Sequence, residues 1–172
     1  MNDTIDFAAT AVFAGPVLTV AQGSAAAQAL PGFSLAGNVA ALLFDDLTAS
    51  TSPAQLRCWR VQVLEVRLRE PTRRRIRLDL RGALTVIGRG EARASVSCGS
   101  RRAAVTLQGR SRQVGADGGL PGKSRDAGLR LTLPRSVAPR KALRIVLLVE
   151  ADAEASQDSA AATIDSVDVI AL

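Results

Sequence analysis

The chain has 172 residues, of which 47% are hydrophobic, so it is long enough for one domain with a packed core. It contains no histidine and no tyrosine, its aromatic content is 3%, and its formal net charge is +6. These features exclude histidine-dependent catalysis and histidine-ligated metal sites, and they disfavour ligand stacking on several aromatic side chains.

Arginine supplies most of the positive charge, since Lys123 and Lys141 are the only lysines among the 22 basic residues. One interpretation is a GC-rich genome, which favours arginine codons. The other is a partner with phosphate or carboxylate groups, which the guanidinium fork binds well. The 16 acidic residues are interspersed with the arginines and favour the first interpretation.

The chain begins with alternating apolar and polar residues at Thr4–Phe13, which predict a strand. Gly15-Pro16 and an Ala-rich stretch separate it from the rest. We therefore predict an N-terminal strand or arm with an Ala/Gly/Pro connector at residues 1–33, and a β-sandwich domain at residues 34–172. The predicted arm would contact other subunits through three apolar side chains: Ile5, Phe7 and Phe13.

The segment Phe7–Ala21 is apolar enough for the core of a signal peptide. Asp3 and Asp6 precede it, however, and a signal peptide carries basic residues there. We therefore predict no signal peptide, and the segment is too short and too interrupted to span a bilayer.

The clearest strand pattern lies at Arg57–Arg69. Trp59, Val61 and Val63 share one face, and from Leu64 onward the apolar residues fall on the other phase. A one-residue change of phase predicts a β-bulge or sheet corner within the strand. Trp59 is then interpreted as a core anchor rather than as a platform for a sugar.

A run of arginines follows, and its strand pattern predicts a basic face shared with Asp79. Such a face suits an edge protected against uncontrolled pairing, or one side of a charged subunit contact. Nucleic acid is a disfavoured partner, because no aromatic side chains are interleaved for stacking. The candidate basic interaction face consists of Arg73, Arg75, Arg77 and Arg81.

The remaining chain alternates in short runs, with a glycine-rich loop at Gly109–Arg125 and a phase slip at Asp165-Ser166. In total we expect about 9–11 short strands and little helix. The predicted fold class is all-β, an antiparallel β-sandwich that is jelly-roll-like.

Two small groups of residues suggest local chemistry. Cys58 and Cys98 either form one disulfide or serve as two small apolar fillers, and a zinc site lacks the further ligands it needs. Acidic residues of one predicted loop are weak calcium candidates, although no EF-hand spacing is present and solvated loop charges are the default. These candidates are Asp152, Glu154 and Asp158.

No catalytic set emerges, so we predict that the protein is not an enzyme and needs no cofactor. The favoured function is a structural subunit of a protein assembly, such as a minor coat, decoration or tail component of a phage virion. Its partners would be copies of itself and other subunits, in a virion or another extracellular particle, without membrane insertion. The alternatives are a carbohydrate- or surface-binding β-sandwich module and an extracellular filament subunit.

Overall fold

A computed structural model describes residues 12–13, 18–20, 33–36, 39–42, 46–67, 75–113, 118–133 and 142–172. These residues form strands and no helix, and every described strand pair is antiparallel. The strands are β1 (Val12–Phe13), β2 (Leu18–Val20), β3 (Phe33–Ala36), β4 (Val39–Leu42), β5 (Leu47–Ser50), β6 (Arg57–Arg67), β7 (Ile76–Ile87), β8 (Arg89–Cys98), β9 (Arg101–Arg110), β10 (Gly122–Asp126), β11 (Leu129–Thr132), β12 (Ala142–Ala153) and β13 (Ser159–Ala171).

The strands form two sheets that pack face to face. The six-stranded sheet has the order β1-β6-β12-β8-β9, and β2 also pairs with β6. The seven-stranded sheet has the order β10-β7-β13-β4-β3, with β11 beside β7 and β5 beside β13. The chain crosses repeatedly from one sheet to the other, as in jelly-roll sandwiches. The predicted fold class is confirmed.

Aliphatic side chains fill the space between the sheets. They alternate along each long strand with polar or half-buried residues, because successive side chains of a strand point to opposite faces. The largest fully buried side chains are Leu47, Leu64, Ile76, Leu78, Leu84, Ile145, Leu147, Ile164, Val86, Val96, Val149 and Val167.

The predicted phase slip near the C-terminus is confirmed. In β13 the register against β7 shifts between Ile164 and Ser166, and both Ile164 and Val167 are fully buried. The extra residue, Asp165, is exposed. Gly82 lies opposite this bulge, where a Cβ atom would collide with the carbonyl oxygen of Thr163.

The predicted slip within β6 is wrong. The strand pairs with β12 in one continuous register, and Cys58, Gln62 and Leu64 face the core while Trp59 is half-buried on the outer face. No change of phase is needed, because the valines of β6 that face away from the core pack against apolar residues of β12. Val61 lies opposite Leu148 and Val63 lies opposite Val146, each pair on the outer face.

The described parts of the predicted N-terminal arm belong to the six-stranded sheet, except Phe33, which begins β3 of the seven-stranded sheet. β1 and β2 both pair with β6, and Phe13 lies opposite Leu64 in the register. Ile5 and Phe7 lie outside the described residues. In the described part of the chain, no helix has the length and hydropathy needed to cross a membrane.

Candidate functional site

An open groove of about 930 Å³ lies across one end of the six-stranded sheet. Strands β6, β12, β8 and β9 supply most of its walls, and the turn after β12 closes one side. The lining combines one indole with arginines, carboxylates and an amide: Arg57, Cys58, Trp59, Gly90, Glu91, Arg93, Gln108, Gly109, Arg110, Glu150, Ala151, Asp152 and Glu154.

The register of the sheet places the indole beside a charged pair. Trp59 of β6 lies opposite Glu150 of β12, which in turn lies opposite Arg93 of β8. Directly opposite residues of antiparallel strands have their Cβ atoms about 5 Å apart, so these three side chains form one row on the outer face. The sequence-based interpretation of Trp59 as a core anchor is therefore wrong.

A second row of polar side chains runs parallel to the first. Arg57 Nε lies 3.0 Å from Asp152 Oδ2 at the rim. On the other side of β12, Gln108 Nε2 donates a hydrogen bond of 2.8 Å to Glu91 Oε2. Arg110 Nη2 donates one of 2.9 Å to Gln108 Oε1. These contacts hold the planar ends of the side chains in place along the groove.

The central pair is less completely satisfied. Arg93 Nε and Glu150 Oε2 are 3.7 Å apart, too far for a hydrogen bond, and each of these two atoms is buried without a hydrogen-bond partner. A buried donor and acceptor left unpaired cost free energy, and neither atom is accessible from the groove.

The three acidic residues predicted as weak calcium ligands do not form one group, because Asp152 lies beside Arg57 whereas Glu154 and Asp158 share Arg112. Asp152 pairs with Arg57, while Glu154 Oε2 lies 3.6 Å from Arg112 Nη2. Among the residues that the structure describes, no group of three or more His, Cys, Asp or Glu could hold a metal ion. The arginines supply the counter-charge that a calcium ion would otherwise provide.

Asp158 instead forms an ion pair in which the carboxylate is buried and the partner, Arg112, is partly exposed. Its side chain is 0% exposed, and Arg112 donates to both carboxylate oxygens, with Nη2 2.7 Å and Nε 2.9 Å from Oδ2. These bonds from Arg112, with backbone N–H groups of Arg89 and Ala155, hold the pKa of Asp158 below its usual value against the effect of burial. Sequence patterns do not predict this pair, because its two members are 46 positions apart.

The candidate basic face is largely neutralised. Arg77 Nη2 lies 2.9 Å from Asp79 Oδ2, and Arg81 Nη2 lies 3.7 Å from Asp168 Oδ2. Arg75 is exposed, whereas Arg73 lies outside the described residues. The shared face of Arg77, Asp79 and Arg81 is as predicted from the alternation.

The two cysteines are free thiols, so of the two predicted alternatives the structure has separate small side chains and no disulfide. Cys58 lies opposite Ala151 and Cys98 opposite Ile145, at well separated positions along β12. Burial raises the pKa of the Cys98 thiol.

No family model and no curated protein match this chain. Solved structures are similar at low identity. The carbohydrate-binding module TmCBM61, in complex with β-1,4-galactotriose, is 14% identical with a TM-score of 0.34, over 83% of both chains. A carbohydrate-binding module of Cellvibrio mixtus lichenase 5A, with cellotriose, is 9% identical with a TM-score of 0.25, over 91% of this chain and 98% of that one.

A third similar structure is the enzymatically active domain of tailspike protein 4 from bacteriophage CBA120. It is 12% identical with a TM-score of 0.27, over 99% of this chain and 20% of that one. At these identities and TM-scores the similarities carry no argument about function. The chain's own strand pairing defines it as an antiparallel β-sandwich. The function proposed below rests on the groove.

Proposed function

We propose that this chain is a non-catalytic carbohydrate-binding β-sandwich module, and that the groove beside Trp59 is its binding surface. The observation that carries the proposal is the row formed by Trp59, Glu150 and Arg93 on the outer face of the sheet. An indole offers an apolar face to the C–H side of a pyranose ring, while charged planar groups hydrogen-bond its hydroxyls.

The shape and the fixed polar groups support this proposal. An open groove across several strands admits an extended chain of sugars, whereas a closed cavity would hold one small ligand. Hydrogen bonds from Arg110 to Gln108 and from Gln108 to Glu91 already hold these three polar side chains in place along the groove. Ordered side chains lose less entropy when a ligand binds, which favours affinity.

Binding is testable through Trp59, because it is the only tryptophan of the chain and its fluorescence reports on the groove alone. β-1,4-Galactotriose, cellotriose and a broad glycan array are suitable first probes. We expect a bound oligosaccharide to change the emission of Trp59 and to protect it from acrylamide quenching. The absence of retention of any glycan on the array would contradict the proposal.

Substitution of Trp59 by Ala should weaken glycan binding by about 30-fold, the usual effect of removing a central tryptophan anchor. Isothermal titration calorimetry measures this directly. Gln108→Ala is a useful second variant, because Gln108 is exposed and its loss does not threaten the fold. Val63→Ala, on the same outer face but outside the groove lining, is the control and should bind normally.

A structural subunit of a virion or another extracellular particle is the second candidate function. The observation that favours it is the edge strand β9, ten residues long, whose free edge pairs with no other described strand. An edge of this length can accept a strand from another subunit. Size-exclusion chromatography with light scattering tests it, and a monomer at high concentration would contradict assembly through this edge.

A further inference from the structure

We propose that the groove selects uncharged saccharides and rejects acidic ones, although the chain as a whole is strongly basic. This inference rests on the proposed carbohydrate-binding function and specifies its ligand class. Its basis is the distribution of charge over the described surface, which differs between the groove and the rest of the molecule.

The charges of the groove are balanced internally. Its lining contains three arginines and four carboxylates, so it has no positive excess. Two of the arginines already have a carboxylate beside them, Arg57 with Asp152 at 3.0 Å and Arg93 with Glu150 at 3.7 Å, and Arg110 donates to the amide oxygen of Gln108 at 2.9 Å. A sulfate or a uronic acid that bound Arg57 or Arg93 would have to compete with the carboxylate already there.

The carboxylates add a direct penalty for an acidic ligand. Glu91, Glu150, Asp152 and Glu154 all line the groove, and a second negative charge placed among them is repelled. A sugar hydroxyl has no such penalty, because it donates to a carboxylate and accepts from a guanidinium with equal ease.

Positive side chains without an ion-pair partner are also present away from the groove. We define the basic edge as two of them, Arg101 and Arg102, which are exposed at the start of β9 and form no ion pair with another described residue. Arg102 and Gln108 are six positions apart on β9, which is roughly 20 Å along an extended strand.

The experiment compares two ligand classes and two sites on the full chain. The neutral probes are galactan, xylan and a β-glucan, and the anionic probes are heparin and polygalacturonate. The variants are Trp59→Ala and Gln108→Ala in the groove, and the double variant Arg101→Ser/Arg102→Ser in the basic edge. Circular dichroism and thermal melting verify that each variant is folded.

We expect at least one neutral glycan to bind the wild type and to lose affinity about 30-fold in Trp59→Ala, with less than a twofold change in the edge variant. Its affinity should change less than about twofold between 0.05 and 0.5 M NaCl, since no net charge is neutralised. Heparin retention should fall in the edge variant and with salt, but not in the groove variants.

The remaining outcomes separate this inference from the proposed function. Binding of an anionic glycan that depends on Trp59 overturns the selectivity, whether or not a neutral glycan also binds, and leaves carbohydrate binding at the groove intact. If no glycan of either class depends on Trp59 or Gln108, carbohydrate binding at the groove is wrong and the selectivity falls with it.

Discussion

At the scale of single residues, Asp158 shows how a buried charge is made tolerable. Its carboxylate accepts a bidentate bond from Arg112 and lies against Gly88, where a Cβ atom would collide with it. Gly88 also has a φ of +77°, which favours glycine. The turn after β7, the segment after β9 and the turn between β12 and β13 thus meet at one carboxylate.

Asp158→Asn should lower the melting temperature by roughly 5–10 °C at neutral pH, because charge-assisted bonds to a buried group are lost. The pKa of Asp158 is lowered in the folded protein. The stability it contributes is therefore present above about pH 4, the value for an unfolded chain, and is lost as the pH falls through the lower folded pKa.

Differential scanning fluorimetry from pH 7 to pH 2 checks this expectation, and the difference between wild type and variant should shrink at the acid end. Asp152→Asn is the matched control, because its side chain is 47% exposed and its pair with Arg57 is at the rim. A control that destabilises as much as Asp158→Asn would contradict the special role of the buried carboxylate.

At the scale of elements, the orientation of β6 determines which of its side chains lie on the outer face of the sheet. Its sequence offers apolar residues on both phases, so alternation alone does not determine which face is inside. Pairing with β12 fixes the phase, and the result places Gln62, 4% exposed, toward the core with its Oε1 atom unpartnered. The same phase places Trp59 in the groove.

Gln62→Leu should therefore stabilise the protein by about 1–2 kcal/mol, because it removes a buried acceptor without a partner and adds apolar area. Urea unfolding with unchanged m-value measures the effect. Gln108→Leu, on an exposed position of β9, is the control and should change stability by less than about 0.5 kcal/mol. A neutral or destabilising Gln62→Leu would contradict this expectation.

At the scale of the whole molecule, no disulfide reinforces the sandwich, since its two cysteines are not joined. Cys58 and Cys98 pair with positions of β12 that are six residues apart, roughly 20 Å along the strand, whereas a disulfide needs Cα atoms within about 7 Å.

When the protein is unfolded in the absence of a reductant, two thiols per chain should therefore react with a thiol reagent. In the folded protein, half-buried Cys98 should react before buried Cys58, and slowly, because burial raises its pKa. Mass spectrometry after alkylation reads both sites. A mass two hydrogens lower, with no alkylation, would demonstrate a disulfide and require a different register.

The sequence was sufficient to predict the fold class, because period-two alternation and frequent turns follow directly from strand geometry. It was also sufficient for the bulge near Asp165-Ser166, because the apolar residues before and after it can all face the core only if one residue is extra. The groove could not be predicted in this way, because Trp59, Glu150 and Arg93 come from three strands far apart in the chain. Because β6 has apolar residues at both odd and even positions, its sequence is compatible with either set facing the core. Pairing with β12 determines which set does.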